Sequence, residues 1–143
     1  MGDFSFSFSE NAGSDEARRI AEGLTAFNDS KVSPSGQKNF VISVKNVRGE
    51  IVGGIVAHTI RGWLYIHQLW VADSYRSTGL GSQLMIRAEA EAISRGCIGG
   101  YLNTYSFQAL EFYKRHGFEI FGELEDFPAG HKNLFLKKRF PEQ

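Results

Sequence analysis

A glycine-rich run at residues 76–81, with the sequence R-S-T-G-L-G, is the part of this chain that points most directly to chemistry. It follows an apolar stretch that ends near Ala72 and leads into an amphipathic stretch of helical spacing. The first turn of a helix has unpaired N–H groups and the positive end of the helix dipole, and glycines let that backbone approach an anion closely. The run therefore predicts a phosphate or pyrophosphate site. We expect four nearby side chains to add hydrogen-bond donors: Arg76, Ser77, Thr78 and Ser82.

This run matches neither of two other phosphate-binding motifs. A Walker loop requires Lys and then Ser or Thr after its second glycine, whereas Gly81 is followed by Ser82 and Gln83. A dinucleotide-binding fingerprint requires a third small residue, and Leu84 occupies that position. A strand-to-helix turn without a ligand explains the two glycines equally well, so the run alone leaves both interpretations open.

Hydrophobic periodicity predicts the elements that hold this run in place. Alternating Phe and Ser predict a half-buried strand at 4–9, and apolar residues at helical spacing predict a helix at 17–27, which a loop follows. The elements predicted after that loop are strands at 40–46, 50–60 and 63–71, a helix at 80–93, a strand at 98–104, a helix at 107–116, and strands at 118–123 and 133–138. This order predicts an α/β (α+β) fold, with one mixed sheet and helices on its faces.

Composition excludes several classes of protein. The chain has 143 residues, 42% of them hydrophobic and 22% charged, which is typical of one folded domain over 1–143. Its 16 basic and 16 acidic residues leave no basic excess for nucleic acid. The single Cys97 cannot form an intrachain disulfide, and with four scattered histidines it gives no metal-ligand spacing. Without a signal segment or a bilayer-spanning run, we expect a cytoplasmic protein that binds no metal, nucleic acid or membrane.

Two motifs in this chain resemble those of the GNAT superfamily of N-acetyltransferases. Residues 76–81 match R-x-x-G-x-G, the acyl-CoA pyrophosphate motif, and residues 109–118 match A-x-x-x-Y-x-x-x-G-F, a later helix and strand of the family. The order of elements agrees over nearly the whole chain. The resemblance implies a single acetyltransferase domain that uses acetyl-CoA as cosubstrate. It also implies a mostly antiparallel sheet of about seven strands, with helices on both faces and two splayed parallel strands at its centre.

In this family the pantetheine arm of coenzyme A lies between the two splayed strands, which here correspond to 63–71 and 98–104. The resemblance implies that the backbone near Leu69 and Val71 binds the arm, and that the Val71 N–H donates to the thioester oxygen. The family often has Asn three residues before Ala109, where this chain has Ser106; Asn103 lies three residues earlier. The residues implied to bind coenzyme A are Leu69, Trp70, Val71, Arg76, Ser77, Thr78, Gly79, Leu80, Gly81, Ser82, Asn103, Ser106, Ala109 and Tyr113.

The resemblance also implies the catalytic residues. The family tyrosine at the position of Tyr113 protonates the departing thiolate, and a phenol with a pKa near 10 is a suitable donor. An amine with a pKa of about 10.4 must lose a proton before it attacks, so a base is required. We expect His67 to be that base, because strict alternation places it on the same strand face as Val71. In one family member, catalytic histidines match Tyr65 and His67. The alternatives are a water chain and a histidine that lines the pocket without catalysis.

The amine acceptor is not specified by the sequence. Residues 123–131 are acidic and aromatic, which favours either attraction of a cationic amine or an ordinary solvated turn. His58 is expected to be a surface or packing residue, and Cys97 a small buried apolar residue. Three functions are considered: acetyl transfer to a primary amine of a small molecule or peptide, binding of acyl-CoA without catalysis, and protein interaction without a coenzyme A site. The resemblance also implies a homodimer, because dimers are common in this family.

Overall fold

The computed structural model describes residues 2–142 and contains two compact units, of which the second begins at Gly36. The first unit contains helix α1 (Asp15–Asp29). The side chain of Ser14 accepts a hydrogen bond from the N–H of Ala17 at 3.2 Å, and two acidic residues stand in the first turn. This cap and these charges stabilise the start of the helix where the sequence predicted it.

The strand predicted at 4–9 is not formed. The described residues before α1 have no regular structure, and the side chains of Phe4, Phe6 and Phe8 are exposed. Alternation shows only that a segment could form a strand, because the strand itself requires a partner edge for its backbone hydrogen bonds. The apolar residues Ile20 and Leu24 of α1 are exposed as well.

The second unit contains a six-stranded sheet and two helices. The strands are β1 (Lys38–Lys45), β2 (Ile51–Ile60), β3 (Trp63–Val71), β4 (Gly99–Tyr105), β5 (Glu119–Glu125) and β6 (Lys132–Arg139), and the helices are α2 (Leu80–Ser94) and α3 (Leu110–Arg115). The strand order is β1-β2-β3-β4-β6-β5. Every neighbouring pair is antiparallel except β3 and β4, as the resemblance implied, although the sheet has six strands rather than about seven. Helix α3 is shorter than the predicted helix at 107–116.

A bulge in β3 changes which side chains face the core. His67 is the extra residue, since Ile66 pairs with Ala57 whereas Gln68 pairs with Val56. Because a bulge shifts the alternation by one residue, the side chains that face the core are even-numbered before it and odd-numbered after it. They are Leu64 and Ile66, then Leu69 and Val71.

The two parallel strands at the centre of the sheet separate along their length. Pairing between β3 and β4 runs only from Trp63 opposite Gly99 to Ile66 opposite Leu102. Beyond this point β3 continues beside β2 and β4 continues beside β6. The separation was implied by the family resemblance, and it opens a gap in the middle of the sheet.

Apolar side chains of α2 and α3 contribute to one core with the sheet. Leu84 and Met85 of α2, with Tyr113 of α3, belong to the same buried cluster as Leu64 and Leu136 of the sheet. Gly81 and Ser82 of α2 and Phe112, Tyr113 and Arg115 of α3 lie beside the gap. Within residues 2–142, no helix combines the length and apolar character needed to cross a bilayer.

Candidate active site

A groove of about 1120 Å³ opens where β3 and β4 separate, and it reaches the start of α2 and α3. It brings together most of the residues predicted to bind coenzyme A: Leu69, Trp70, Val71, Arg76, Ser77, Gly79, Gly81, Ser82, Asn103, Ala109 and Tyr113. Three predicted residues, Thr78, Leu80 and Ser106, are not among its lining residues. The hydroxyl of Ser106 instead accepts a hydrogen bond from the N–H of Lys132 at 2.9 Å.

The first turn of α2 forms one end of the groove. Gly79 precedes the helix with φ = 86°, a left-handed conformation that strains other residues. A β-carbon on Gly81 would lie 3.3 Å from the Phe112 ring, so this glycine allows α2 and α3 to approach closely. No side chain caps the start of α2, which leaves its first N–H groups available to an anion. This end of the groove therefore fits a diphosphate.

Arg76 lies beside this turn and connects it to the end of β3. Its Nε donates to the carbonyl oxygen of Val71 at 3.0 Å, and its guanidinium pairs with the carboxylate of Asp73 at 2.8 Å. In this structure the side chain thus holds the loop against the strand. Its predicted contact with a phosphate stays a prediction.

The main chain of β3 faces the groove beyond the point where the strands separate. The N–H of Ala72 donates to the carbonyl oxygen of Val52 at 2.8 Å, towards β2. Because successive N–H groups of a strand point to opposite sides, those of Leu69 and Val71 point to the side that β4 has left. This open edge fits an extended ligand that pairs with it as a strand would.

Tyr113 reaches the groove from α3 and is otherwise buried. Its ring packs edge-on against those of Phe112, at 5.3 Å between centroids, and Phe118, at 6.1 Å. Burial raises the pKa of the Tyr113 hydroxyl above its ordinary value. The phenol therefore remains protonated at neutral pH and can donate its proton.

His67 lies in the groove wall at the bulge of β3, where it is exposed. Its Nε2 is 2.6 Å from Nδ1 of His58 on β2. The prediction that His67 and Val71 share one strand face was wrong, because the bulge turns the His67 side chain to the opposite face. Its ring instead lies beside that of Tyr65, with 4.8 Å between centroids.

The contact with His58 was missed in the sequence analysis. His58 lies directly opposite Tyr65 in the β2–β3 hairpin, and the turn at residues 61–62 could have predicted that register. What the sequence could not predict is the bulge that brings His67 over the same face. Burial is the main cause that lowers the pKa of His58, and the nearby His67 lowers it further.

Tyr65 itself does not line the groove, but it contacts a residue that does. Its hydroxyl donates to Oδ1 of Asn103 at 2.8 Å, and Nδ2 of Asn103 donates to Oδ1 of Asn133 at 3.3 Å. These bonds connect β3, β4 and β6 across the sheet. Tyr65 therefore orients Asn103 in the groove wall.

A second histidine lies near the start of α2. Ser82 Oγ is 2.9 Å from Nε2 of His116, which follows α3. Burial is the largest influence on the pKa of His116 and lowers it, and the charge of Glu89 opposes this effect. Glu89 pairs with Lys138 of β6 at 2.6 Å, and both side chains are largely buried. The contact of Ser82 with His116 joins the start of α2 to the end of α3, and the pair Glu89–Lys138 joins α2 to β6.

The other end of the groove carries an aromatic cluster. Phe107 lines the groove and stacks on Tyr105 with 5.0 Å between centroids. Phe127 and His131 of the β5–β6 turn contact these two rings. The aromatic and acidic turn at 123–131 therefore lies at the groove mouth, where the sequence left its role open. No group of three potential metal ligands occurs within residues 2–142.

Known proteins share both the sequence and the fold of this chain. The family described as "Acetyltransferase (GNAT) family" matches residues 6–118. An acetyltransferase of Agrobacterium fabrum (strain C58 / ATCC 33970) is 36% identical over 135 residues, which are 94% of this chain and 98% of that protein. Blasticidin-S acetyltransferase of Streptomyces morookaense is 44% identical over 92 residues, which are 64% of this chain and 68% of that protein.

Among solved structures, an acetyltransferase from Bacillus cereus ATCC 14579 is 36% identical and has a TM-score of 0.85. The similarity covers 94% of this chain and 98% of that one. These matches extend over the groove, the start of α2 and the separated strands. The chain belongs to the acetyltransferase (GNAT) family, and it is an N-acetyltransferase that takes its acetyl group from acetyl-CoA.

Proposed function

We propose that this enzyme transfers the acetyl group directly to a primary amine of a small molecule or peptide while acetyl-CoA and the amine are both bound. One observation carries the proposal: a single groove brings together the start of α2, the open edge of β3, His67 and Tyr113. Direct transfer requires no nucleophilic side chain. The only cysteine, Cys97, is buried and does not line this groove.

Binding would place the thioester beside β3. The free N–H groups of the first α2 turn would hold the diphosphate, and the open N–H groups of Leu69 and Val71 would pair with the extended arm. Such an arrangement directs the reacting carbonyl into the groove that Val71, His67 and Tyr113 line.

In the proposed reaction the amine nitrogen attacks the thioester carbon, and a carbon–nitrogen bond forms. The carbonyl oxygen takes the electron pair, and the N–H of Val71 stabilises its charge. His67 accepts the proton that the nitrogen loses. The carbon–sulfur bond then breaks, and Tyr113 donates its hydroxyl proton to the departing sulfur. Tyr113 is protonated at neutral pH and lines the groove, so its proton is available when the thiolate forms, and water returns a proton to the phenolate afterwards.

A panel of amines with acetyl-CoA tests the proposal. One relative is named for blasticidin S, so the panel should include that compound beside polyamines, aminoglycosides, lysine and peptides with free N-termini. We expect one class to be acetylated, with one coenzyme A thiol released for each product detected by mass spectrometry. Two-substrate kinetics should give intersecting lines, because both substrates must be bound together.

Two results would contradict the proposal. Parallel kinetic lines, with an acetylated enzyme detected by mass spectrometry, would exclude direct transfer. Tight binding of coenzyme A without turnover on any amine would show that the protein does not acetylate amines.

A further inference from the structure

The two histidines at the groove wall share one close contact. Nδ1 of His58 and Nε2 of His67 are 2.6 Å apart, which is hydrogen-bonding distance, and the ring centroids are 4.7 Å apart. One of these two nitrogens must therefore carry the proton and the other must accept it. His67 lines the groove. His58 does not line it, and lies on the neighbouring strand β2.

This contact decides which nitrogen of His67 can act as a base. Nε2 is engaged with His58, so only Nδ1 remains to accept a proton from an amine. Nδ1 has a lone pair only if the neutral ring carries its proton on Nε2. In that tautomer His67 donates from Nε2, and Nδ1 of His58 accepts.

We propose that His58 is a positioning residue, which accepts the Nε2–H of His67 and so holds His67 in the tautomer whose Nδ1 is open to the acceptor amine. The inference rests on the proposed function, because it assigns a role to the partner of the proposed base. A histidine is oriented by the hydrogen bond that its second nitrogen makes. Here a neutral imidazole takes the place that a carboxylate or a carbonyl oxygen often occupies.

The surroundings of His58 keep it neutral, as an acceptor must be. Asn39 of β1 lies directly opposite it and is uncharged. Tyr65 and His67 face it from β3, with ring centroids 5.4 Å and 4.7 Å away. Burial and the proximity of His67 both lower the pKa of His58, which disfavours the charged ring that could not accept a bond at Nδ1.

Proton transfer balances under this arrangement. The amine loses one proton to Nδ1 of His67, and the ring becomes an imidazolium that still donates from Nε2 to His58. The neutral His58 ring stabilises that cation more than an apolar ring would, because its Nδ1 lone pair points at the charged donor. The proton leaves His67 for water after the product departs.

Two substitutions of His58 separate this role from simple packing. His58→Phe keeps the ring volume but removes the acceptor, and His58→Asn retains an acceptor oxygen near the position of Nδ1. We expect His58→Phe to lower kcat about fivefold to tenfold, no more than loss of His67 itself, with the KM for acetyl-CoA changed less than about twofold. We expect His58→Asn to keep kcat within about threefold of the native enzyme, and Asn39→Ala to leave it unchanged. Of these three variants, only His58→Phe should change the limb of the pH–rate profile that reports the general base.

The tautomer can be measured without any turnover. Nitrogen-15 NMR of histidine-labelled protein should show His67 protonated on Nε2 in the native chain and in His58→Asn, and a mixture of tautomers in His58→Phe. Protonation of His67 on Nδ1 in the native chain would overturn the inference. So would an equal loss of kcat in His58→Phe and His58→Asn, or full activity in His58→Phe. If no amine is acetylated, the proposed function fails while the NMR result still decides the role of His58.

Discussion

The diphosphate site and the proton-transfer site that we propose are built from different parts of the chain. The proposed diphosphate site consists of backbone: the N–H groups at the start of α2, exposed by the conformation of Gly79 and the small size of Gly81. The proposed proton-transfer site consists of side chains, namely His58, His67 and Tyr113, which come from β2, β3 and α3. A backbone site can be recognised from a short local motif, whereas a side-chain cluster depends on how distant elements pack.

The comparison also predicts that substitutions at the two sites affect different kinetic constants. Changes at the backbone site should weaken coenzyme A binding and leave the chemical step intact. Changes in the side-chain cluster should slow the chemical step and leave binding intact. The following substitutions test that separation, from the largest expected effect to the smallest.

Tyr113→Phe should lower kcat about a hundredfold and leave the Kd for coenzyme A within about twofold, because only the donated proton is lost. Steady-state kinetics and calorimetry with coenzyme A measure the two quantities. Tyr101→Phe is the matched control, since burial also raises the pKa of Tyr101 but its ring does not line the groove. An unchanged kcat in Tyr113→Phe would remove this residue from the reaction.

Gly79→Val should raise the Kd for coenzyme A about thirtyfold, because a β-branched residue is strained at φ = 86° and its side chain covers the first N–H groups of α2. Gly49→Val is the control, since Gly49 has φ = 81° and equally open surroundings but lies in the β1–β2 turn. Calorimetry with coenzyme A reports both variants. Equal affinities in the two would mean that α2 does not bind the diphosphate.

His67→Gln should lower kcat about tenfold, because the amide keeps a polar atom near His58 but cannot take a proton at the position of Nδ1. The pH–rate profile should lose the limb that belongs to the base. Retention of that limb in His67→Gln would assign the base to water or to another residue.

Stability should fall slightly as the pH is lowered from 7.5 to 5.5. The pKa values of His58 and His116 lie below the ordinary value of 6.5, chiefly because both rings are partly buried. Below about 6.5 the unfolded chain therefore binds protons that the folded chain resists, and the free energy of unfolding decreases. Thermal unfolding at several pH values measures the slope.

The variant His116→Phe should flatten this dependence, because the titrating ring is then absent from both states. An unchanged slope in His116→Phe would contradict the assignment of the effect to this residue.

Much of the fold could be predicted because its elements have strong local signals. The strand at 63–71 was predicted with its observed limits, and α2 was predicted within one residue of its end. The strand at 4–9 was predicted wrongly, since alternation cannot show whether a partner edge is available. The bulge at His67 was not predicted either, because no residue in β3 marks it.

The site could be predicted to a similar extent. The family resemblance implied that Val71, Gly79, Gly81 and Tyr113 belong to one site, and all four line the groove. His58 and His116 were not recognised, because each acquires its partner from an element far away in the chain. No local sequence motif marks a side chain whose role depends on a partner so distant in the chain.

By itself, the sequence determined where backbone could bind an anion and which residues could transfer protons, since glycine conformation, helix polarity and side-chain chemistry are local properties. Only the tertiary structure decided that a bulge turns His67 to His58 and that His116 meets Ser82. The physical reason is that these relations depend on how many residues pair in each strand and which surfaces pack together. Such properties belong to the folded chain as a whole.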